Sequence, residues 1–104
     1  MNEAEQLYAL RTLHQYLESR ISYRHLELTA TGLRMLKRYV LFCVDSGSEE
    51  DVERALLACL AIPELKEWIL GSQAENLKPV KERFAVMCKT YDPGELGPSF
   101  LPFT

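Results

Sequence analysis

The sequence predicts an all-α fold, a compact bundle of four to five helices followed by an extended apolar C-terminal tail. Two observations carry this prediction. Apolar residues recur at intervals of three and four through most of residues 1–91, which is the spacing of one helix face. Proline, glycine and capping residues divide that pattern into pieces of helical length. We therefore expect one helical domain over 1–91 and a tail over 92–104 that packs on the domain or on a partner.

The first helix is predicted to begin after Asn2. Asn2 suits the N-cap position, and Glu5 stands three residues later, which is the arrangement of a capping box. A seam with 3-4-3-4 spacing follows: Leu7, Leu10, His14, Leu17 and Ile21. This seam predicts packing within the chain or, as the alternative, pairing with a second chain across a dimer.

The most apolar stretch, 33–44, predicts the central helix of the bundle. Its apolar residues lie on both faces of a helix: Leu33, Leu36, Val40, Cys43 and Val44 on one, and Met35, Tyr39, Leu41 and Phe42 on the other. Such a helix needs cover on nearly every side. We expect Thr29 or Thr31 to cap it and Gly47 to end it in the left-handed conformation.

The remaining boundaries follow from local signals. Ser48 and Asp51 predict a second capping box at the start of the third helix. Pro63 suits the first position of a short fourth helix that ends at Gly71, and Pro79 opens the fifth. Residues 95–104 of the tail hold two prolines and a glycine among large apolar residues, which predicts an extended segment: Leu96, Phe100, Leu101 and Phe103.

Composition and charge indicate an ordinary globular protein. The chain has 104 residues, 47% of them hydrophobic, and a net charge of -3 at pH 7, which gives no general attraction to nucleic acid. No apolar run approaches the ~20 residues that cross a bilayer. The N-terminus is acidic where a secretory signal would be basic, so we expect a cytoplasmic protein without membrane contact. The three cysteines, Cys43, Cys59 and Cys88, fall on separate predicted helices and are interpreted as buried reduced thiols.

The sequence contains none of the local motifs that carry common enzyme chemistry. There is no GxSxG, no Walker loop, no dinucleotide fingerprint and no HExxH. The EF-hand pattern and close pairs of zinc ligands are absent as well. We therefore predict a non-enzymatic protein with no metal and no cofactor.

In size, predicted compartment and helical build, the chain resembles small all-α bacterial quorum-sensing antiactivators of the QslA-like kind. These bind a LuxR-type transcription factor and keep it from DNA. The resemblance implies a regulatory protein that sequesters another protein.

The apolar surface predicted for the first two helices, the single tryptophan and the tail exceeds what one small chain can bury. We therefore expect a homodimer that also binds a protein partner. The candidate partner-binding residues are Leu7, Leu10, His14, Leu17, Trp68, Phe100 and Leu101.

Two alternatives remain open. One is a nucleic-acid-binding protein that uses the basic region 20–38: Arg20, Arg24, Arg34, Lys37 and Arg38. Its binding would weaken steeply with salt, because each phosphate contact releases counterions. The other is an inhibitor or immunity protein of phage or toxin systems, which would need only a shaped surface of the same kind.

Overall fold

The computed structural model describes residues 1–22, 27–92 and 96–102, and these contain α-helices and short 3₁₀ turns but no β-strand. The α-helices are α1 Glu3–Ile21, α2 Ala30–Ser46, α3 Glu49–Ala61, α4 Pro63–Gly71 and α5 Lys78–Thr90. The 3₁₀ turns are Glu75–Leu77 and Pro98–Phe100. The all-α prediction is confirmed.

The helix starts follow the capping residues of the sequence. The Asn2 side chain accepts a hydrogen bond from the Glu5 N–H at 2.8 Å, and the Glu5 carboxylate accepts one from the Asn2 N–H at 3.2 Å. This capping box is the predicted one. Of the two candidate caps for α2, Thr29 takes the role, accepting from the Gly32 N–H at 2.9 Å.

The junction between α2 and α3 differs from the prediction in one detail. Gly47 has φ 75°, as expected of a left-handed C-cap. Ser48 accepts from the Asp51 N–H, but the Ser48 N–H donates to the Ser46 hydroxyl at 3.2 Å instead of to Asp51. The short Asp51 side chain accepts instead from Ser46 and Arg54, so the second capping box is not closed.

The most enclosed helix is α3, and not α2 as the apolar stretch 33–44 predicts. Every residue from Ala58 to Ile62 is buried, and α3 packs against α2, α4 and α5. On α2, Leu36 and Val40 are fully buried, whereas Leu33 and Phe42 remain partly accessible. The reason is that small residues such as Ala55 and Ala58 let three helices approach α3.

The described part of the tail packs on α1. Leu101 is 4% exposed and belongs to the core, and the 3₁₀ turn Pro98–Phe100 contacts α1. A Cβ on Gly97 would lie 3.1 Å from Cδ1 of Ile21, so glycine permits this close approach. The extended tail is not confirmed, because Pro98 opens a 3₁₀ turn; Phe103 lies outside the described residues.

Polar side chains connect the helices at their ends. Arg20 Nη1 donates to the backbone carbonyl of Ala61 at 2.6 Å, which joins the end of α1 to the end of α3. Arg38 pairs with Glu5 at 2.8 Å between α2 and α1. The pKa of the Glu5 carboxyl is lowered, first by the Asn2 backbone hydrogen bond and then by Arg38. These contacts fix α1 against the bundle with one defined side facing outward.

The dimensions fit one domain. The Cα radius of gyration is 12.8 Å, close to the ~13 Å of a folded domain of about 100 residues. Within the described ranges, no α-helix has both the length and the apolar character that a membrane span requires.

Candidate functional site

The predicted partner-binding residues do not all reach the surface. Leu17 is 0% exposed and Leu101 is 4% exposed, so both belong to the core and we remove them from the candidate surface. Leu10, His14, Trp68 and Phe100 are half-buried. Leu7, by contrast, is 41% exposed.

Leu7 is exposed because α1 is rotated about its axis relative to the orientation that the seam predicts. The face that packs on the bundle is formed by Ala9, Leu13 and Leu17, spaced by four residues. The side chain of Ala9 is a single methyl group, so its complete burial indicates that a neighbouring helix lies close to α1 at this position. The rotation turns Leu7 and Ile21, which belong to the predicted seam, toward solvent, with exposures of 41% and 60%. Tyr8 lies on neither stripe and is 47% exposed.

We define the outer face of α1 as six exposed residues at helical spacing: Glu3, Ala4, Leu7, Tyr8, Arg11 and Gln15. An open groove runs along this face, and all but Glu3 line it together with Thr12. A second open groove continues from Tyr8 and Gln15 past Tyr16 to Leu28 and Thr29, at the start of α2. Tyr8 therefore stands between two grooves, with an apolar ring and a hydroxyl that can donate or accept a hydrogen bond.

The charged side chains on the outer face of α1 differ in their contacts from the other charged side chains of this helix. Glu5 pairs with Arg38, and His14 lies with Nδ1 3.6 Å from the Glu18 carboxylate. The side chains of Glu3 and Arg11, in contrast, form no ion pair or hydrogen bond within the described ranges 1–22, 27–92 and 96–102. The outer face thus combines exposed apolar side chains with one carboxylate and one guanidinium that have no partner in this part of the chain.

His14 and the carboxylates of the described residues are not grouped as a metal centre would be. His14 is half-buried beside Glu18. Among the described residues, no group of three or more His, Cys, Asp and Glu side chains is placed to hold a metal ion.

Trp68 occupies a separate place on α4. Its ring is half-buried, and Nζ of Lys37 on α2 lies 5.8 Å from the ring centroid, a cation–π distance. The lysine side chain covers part of the ring that a partner would otherwise contact. Neither of the two grooves beside α1 is lined by Trp68, so Trp68 and Leu7 belong to different surfaces.

Most of the described basic residues of the region 20–38 already contact other groups. Arg20 donates to Ala61, Arg38 pairs with Glu5, and Lys37 lies over Trp68. Arg24 lies outside the described residues. This arrangement provides structural roles for three of the five candidate phosphate contacts.

The two fully buried thiols lack the features of nucleophiles. Cys43 and Cys59 are buried as predicted, whereas Cys88 is half-buried. Burial raises the pKa of Cys43 and raises that of Cys59 to about 12, which disfavours the reactive thiolate. Cys43 and Cys59 therefore act as core side chains.

Sequence reasoning missed Ala4, Tyr8 and Arg11 as surface residues of interest. The signal for them was the spacing of Ala9, Leu13 and Leu17, which places residues 4, 8 and 11 on other sides of the helix. That spacing competed with the equally regular seam through Leu7 and Leu10.

Comparison with protein-family models, with curated proteins and with solved structures finds no match for this chain.

Proposed function

We propose that this protein is a small, non-enzymatic cytoplasmic regulator that binds another protein through the outer face of α1. The observation that carries the proposal is the exposure of Leu7 and Tyr8 side by side along an open groove. Tyrosine in such a position offers a large contact area at low entropic cost and is enriched among residues that dominate binding energy.

The character of the groove supports a protein partner over a small molecule. It is a shallow depression between rows of side chains on α1 alone, and it is open to solvent along that helix. Small-molecule sites are instead concave and bury most of their ligand. An amphipathic helix or a loop of a partner protein fits a surface of this shape, with apolar anchors at helical spacing.

A capture experiment tests the proposal. Tagged wild-type protein, Leu7→Glu and Tyr8→Ala are compared in the native cytoplasm by quantitative mass spectrometry. We expect a specific partner to be retained by the wild type and its affinity to fall roughly 30-fold or more in Leu7→Glu, which places a charge against an apolar contact. Tyr8→Ala is expected to weaken the same partner.

Leu70→Glu is the matched control. Leu70 is 44% exposed on α4, nearly the exposure of Leu7, so its substitution adds the same charge to a different surface. We expect Leu70→Glu to retain the partner. Loss of the partner in Leu70→Glu with retention in Leu7→Glu would contradict the proposal and move the surface to α4, where Trp68 lies.

The more specific form of the proposal is an antiactivator of a LuxR-type transcription factor. It is supported by the resemblance of this chain in size and all-α class to such proteins and by a surface suited to covering an apolar face of an activator. The test is a gel-shift assay with a purified LuxR-type activator and its operator DNA. Wild-type protein should abolish the shift in a dose-dependent way, and Leu7→Glu should leave it unchanged.

A further inference from the structure

We propose that a second copy of this chain covers the outer face of α1, in an antiparallel pair of α1 helices whose twofold axis passes beside Leu7. This inference rests on the proposed function, because it names what occupies the same surface when the partner protein is absent. It is carried by the placement of two charges that have no partner within the described ranges of the chain.

Glu3 and Arg11 stand four residues before and four residues after Leu7 on the exposed side of α1. At 1.5 Å per residue, each lies about 6 Å along the helix axis from Leu7, in opposite directions. Both side chains are exposed, and within residues 1–22, 27–92 and 96–102 neither makes a hydrogen bond or ion pair. The face therefore carries a negative charge at one end, a positive charge at the other and an apolar centre.

A twofold axis beside Leu7 satisfies both charges at once. In a symmetric dimer the same patch contacts itself, so residues equally far from the axis on opposite sides meet. Glu3 of one protomer then lies opposite Arg11 of its partner, and the contact occurs twice. A parallel pair would instead place Glu3 beside Glu3 and Arg11 beside Arg11, and like charges in contact are unfavourable.

The apolar residues fit the same arrangement. Leu7 meets Leu7 on the axis, and the small Ala4 stands opposite Leu10, which is half-buried at the edge of the face. A small residue opposite a large one lets the two helices approach closely. Tyr8 flanks the contact. The result is an apolar centre with charged ends, the usual composition of an interface between proteins.

The contact area of one helix pair is small, so the dimer is weak and exchanges readily. A partner that makes additional contacts with Tyr8 and the second groove displaces the second copy. Self-association thus covers Leu7 at high protein concentration, where a partner has to compete with the second copy.

Charge reversal and mixing test the inference. The variants Glu3→Arg and Arg11→Glu each place like charges at both ends of the pair, and we expect each to weaken self-association roughly tenfold or more. An equimolar mixture of the two should restore association, because each mixed pair contains two opposite-charge contacts. The double variant on one chain should restore it as well. Sedimentation equilibrium measures all four samples.

The restoration in the mixture separates pairing from folding, since a misfolded variant gains no partner on mixing. Arg34→Glu is the control, because it alters an exposed charge on α2 outside the proposed contact. The proposal is overturned if both single variants self-associate as strongly as the wild type. It is also overturned if the mixture associates no more strongly than either variant alone.

A disulfide across the axis gives an independent readout. Leu7→Cys should form covalent dimers under mild oxidation, whereas Leu70→Cys, with 44% exposure, should not. If wild-type protein stays a single chain at all concentrations while Leu7→Glu loses its captured partner, this inference is wrong and the proposed function stands. If the charge variants behave as expected while Leu7→Glu keeps the partner, the proposed function is wrong.

Discussion

Arg20 is the side chain that ties α1 most directly to the centre of the bundle. Its guanidinium donates to the Ala61 carbonyl at 2.6 Å, where α3 ends and its last carbonyls lack partners within the helix. A positive charge at that end also complements the helix dipole. The contact spans 41 residues of sequence, so no local pattern could predict it.

We expect Arg20→Ala to lower the free energy of unfolding by about 1.5–3 kcal/mol, the contribution typical of a hydrogen bond from a charged donor. Urea denaturation followed by circular dichroism measures the change. Arg34→Ala is the control, since it truncates an exposed arginine on α2 and should change stability by less than about 0.5 kcal/mol. Equal losses in both variants would contradict the role of Arg20.

Two buried groups predict how stability depends on alkaline pH. Burial raises the pKa of Cys59 from its ordinary value of 9.0 to about 12, and raises the pKa of Tyr39 from 10.0 to about 12. The folded protein therefore holds both protons more tightly than the unfolded chain. Their contribution to stability is complete below about pH 9 and is lost as the pH rises toward about 12.

We accordingly expect the free energy of unfolding to fall as the pH rises from about 9 toward about 12, and to fall less steeply in Tyr39→Phe and Cys59→Ala. Denaturant titrations at several pH values measure the slopes. Tyr8→Phe, a change at a tyrosine that is 47% exposed, should keep the wild-type slope. A Cys59→Ala profile as steep as that of wild type would contradict this explanation.

Individual residues show which parts of the candidate site can be predicted from the sequence and which cannot. Leu7 is exposed because the seam through it is not the stripe that packs on the bundle. Leu17 lies on the predicted seam and also on the buried face, since the two stripes share it. Leu101 is an apolar residue of the tail, and nothing in the nearby sequence shows that the core has space for it.

Helix boundaries were the most predictable elements. Asn2, Thr29, Gly47 and Pro63 act within a few residues of themselves, so the sequence alone contains the information. The burial of a whole helix depends on contacts with residues far away in sequence. For this reason the apolar content of 33–44 does not identify the most enclosed helix. The most enclosed helix is α3, whose alanines add little weight to a hydrophobic count.

Alanine substitutions of the two glycines that end α2 and α4 give a matched pair of predictions. Gly47 has φ 75° and no heavy atom within 4 Å of the position that an added Cβ would occupy, so Gly47→Ala incurs only the left-handed backbone cost of about 1–2 kcal/mol. Gly71 ends α4 without positive φ and with equal open space, so Gly71→Ala should keep or raise stability. Thermal unfolding compares them, and similar effects of both substitutions would contradict the assigned backbone roles.

For the whole molecule, the fold class follows from sequence because periodicity and caps agree along most of the chain. The orientation of α1 does not follow, because two apolar stripes compete on that helix and only tertiary packing decides between them. That choice exposes Leu7 beside Tyr8, and it creates the surface on which the proposed function depends.

The most direct test of that surface is the molar mass in solution of wild-type protein and Leu7→Glu, measured by light scattering after size exclusion with reductant present. The chain mass is 12.0 kDa. With increasing concentration, we expect the wild-type mass to rise toward two chains, while Leu7→Glu remains at one chain with unchanged thermal stability. A wild-type mass of one chain at every concentration, or equal dimerisation of Leu7→Glu, would contradict the proposed pairing of α1.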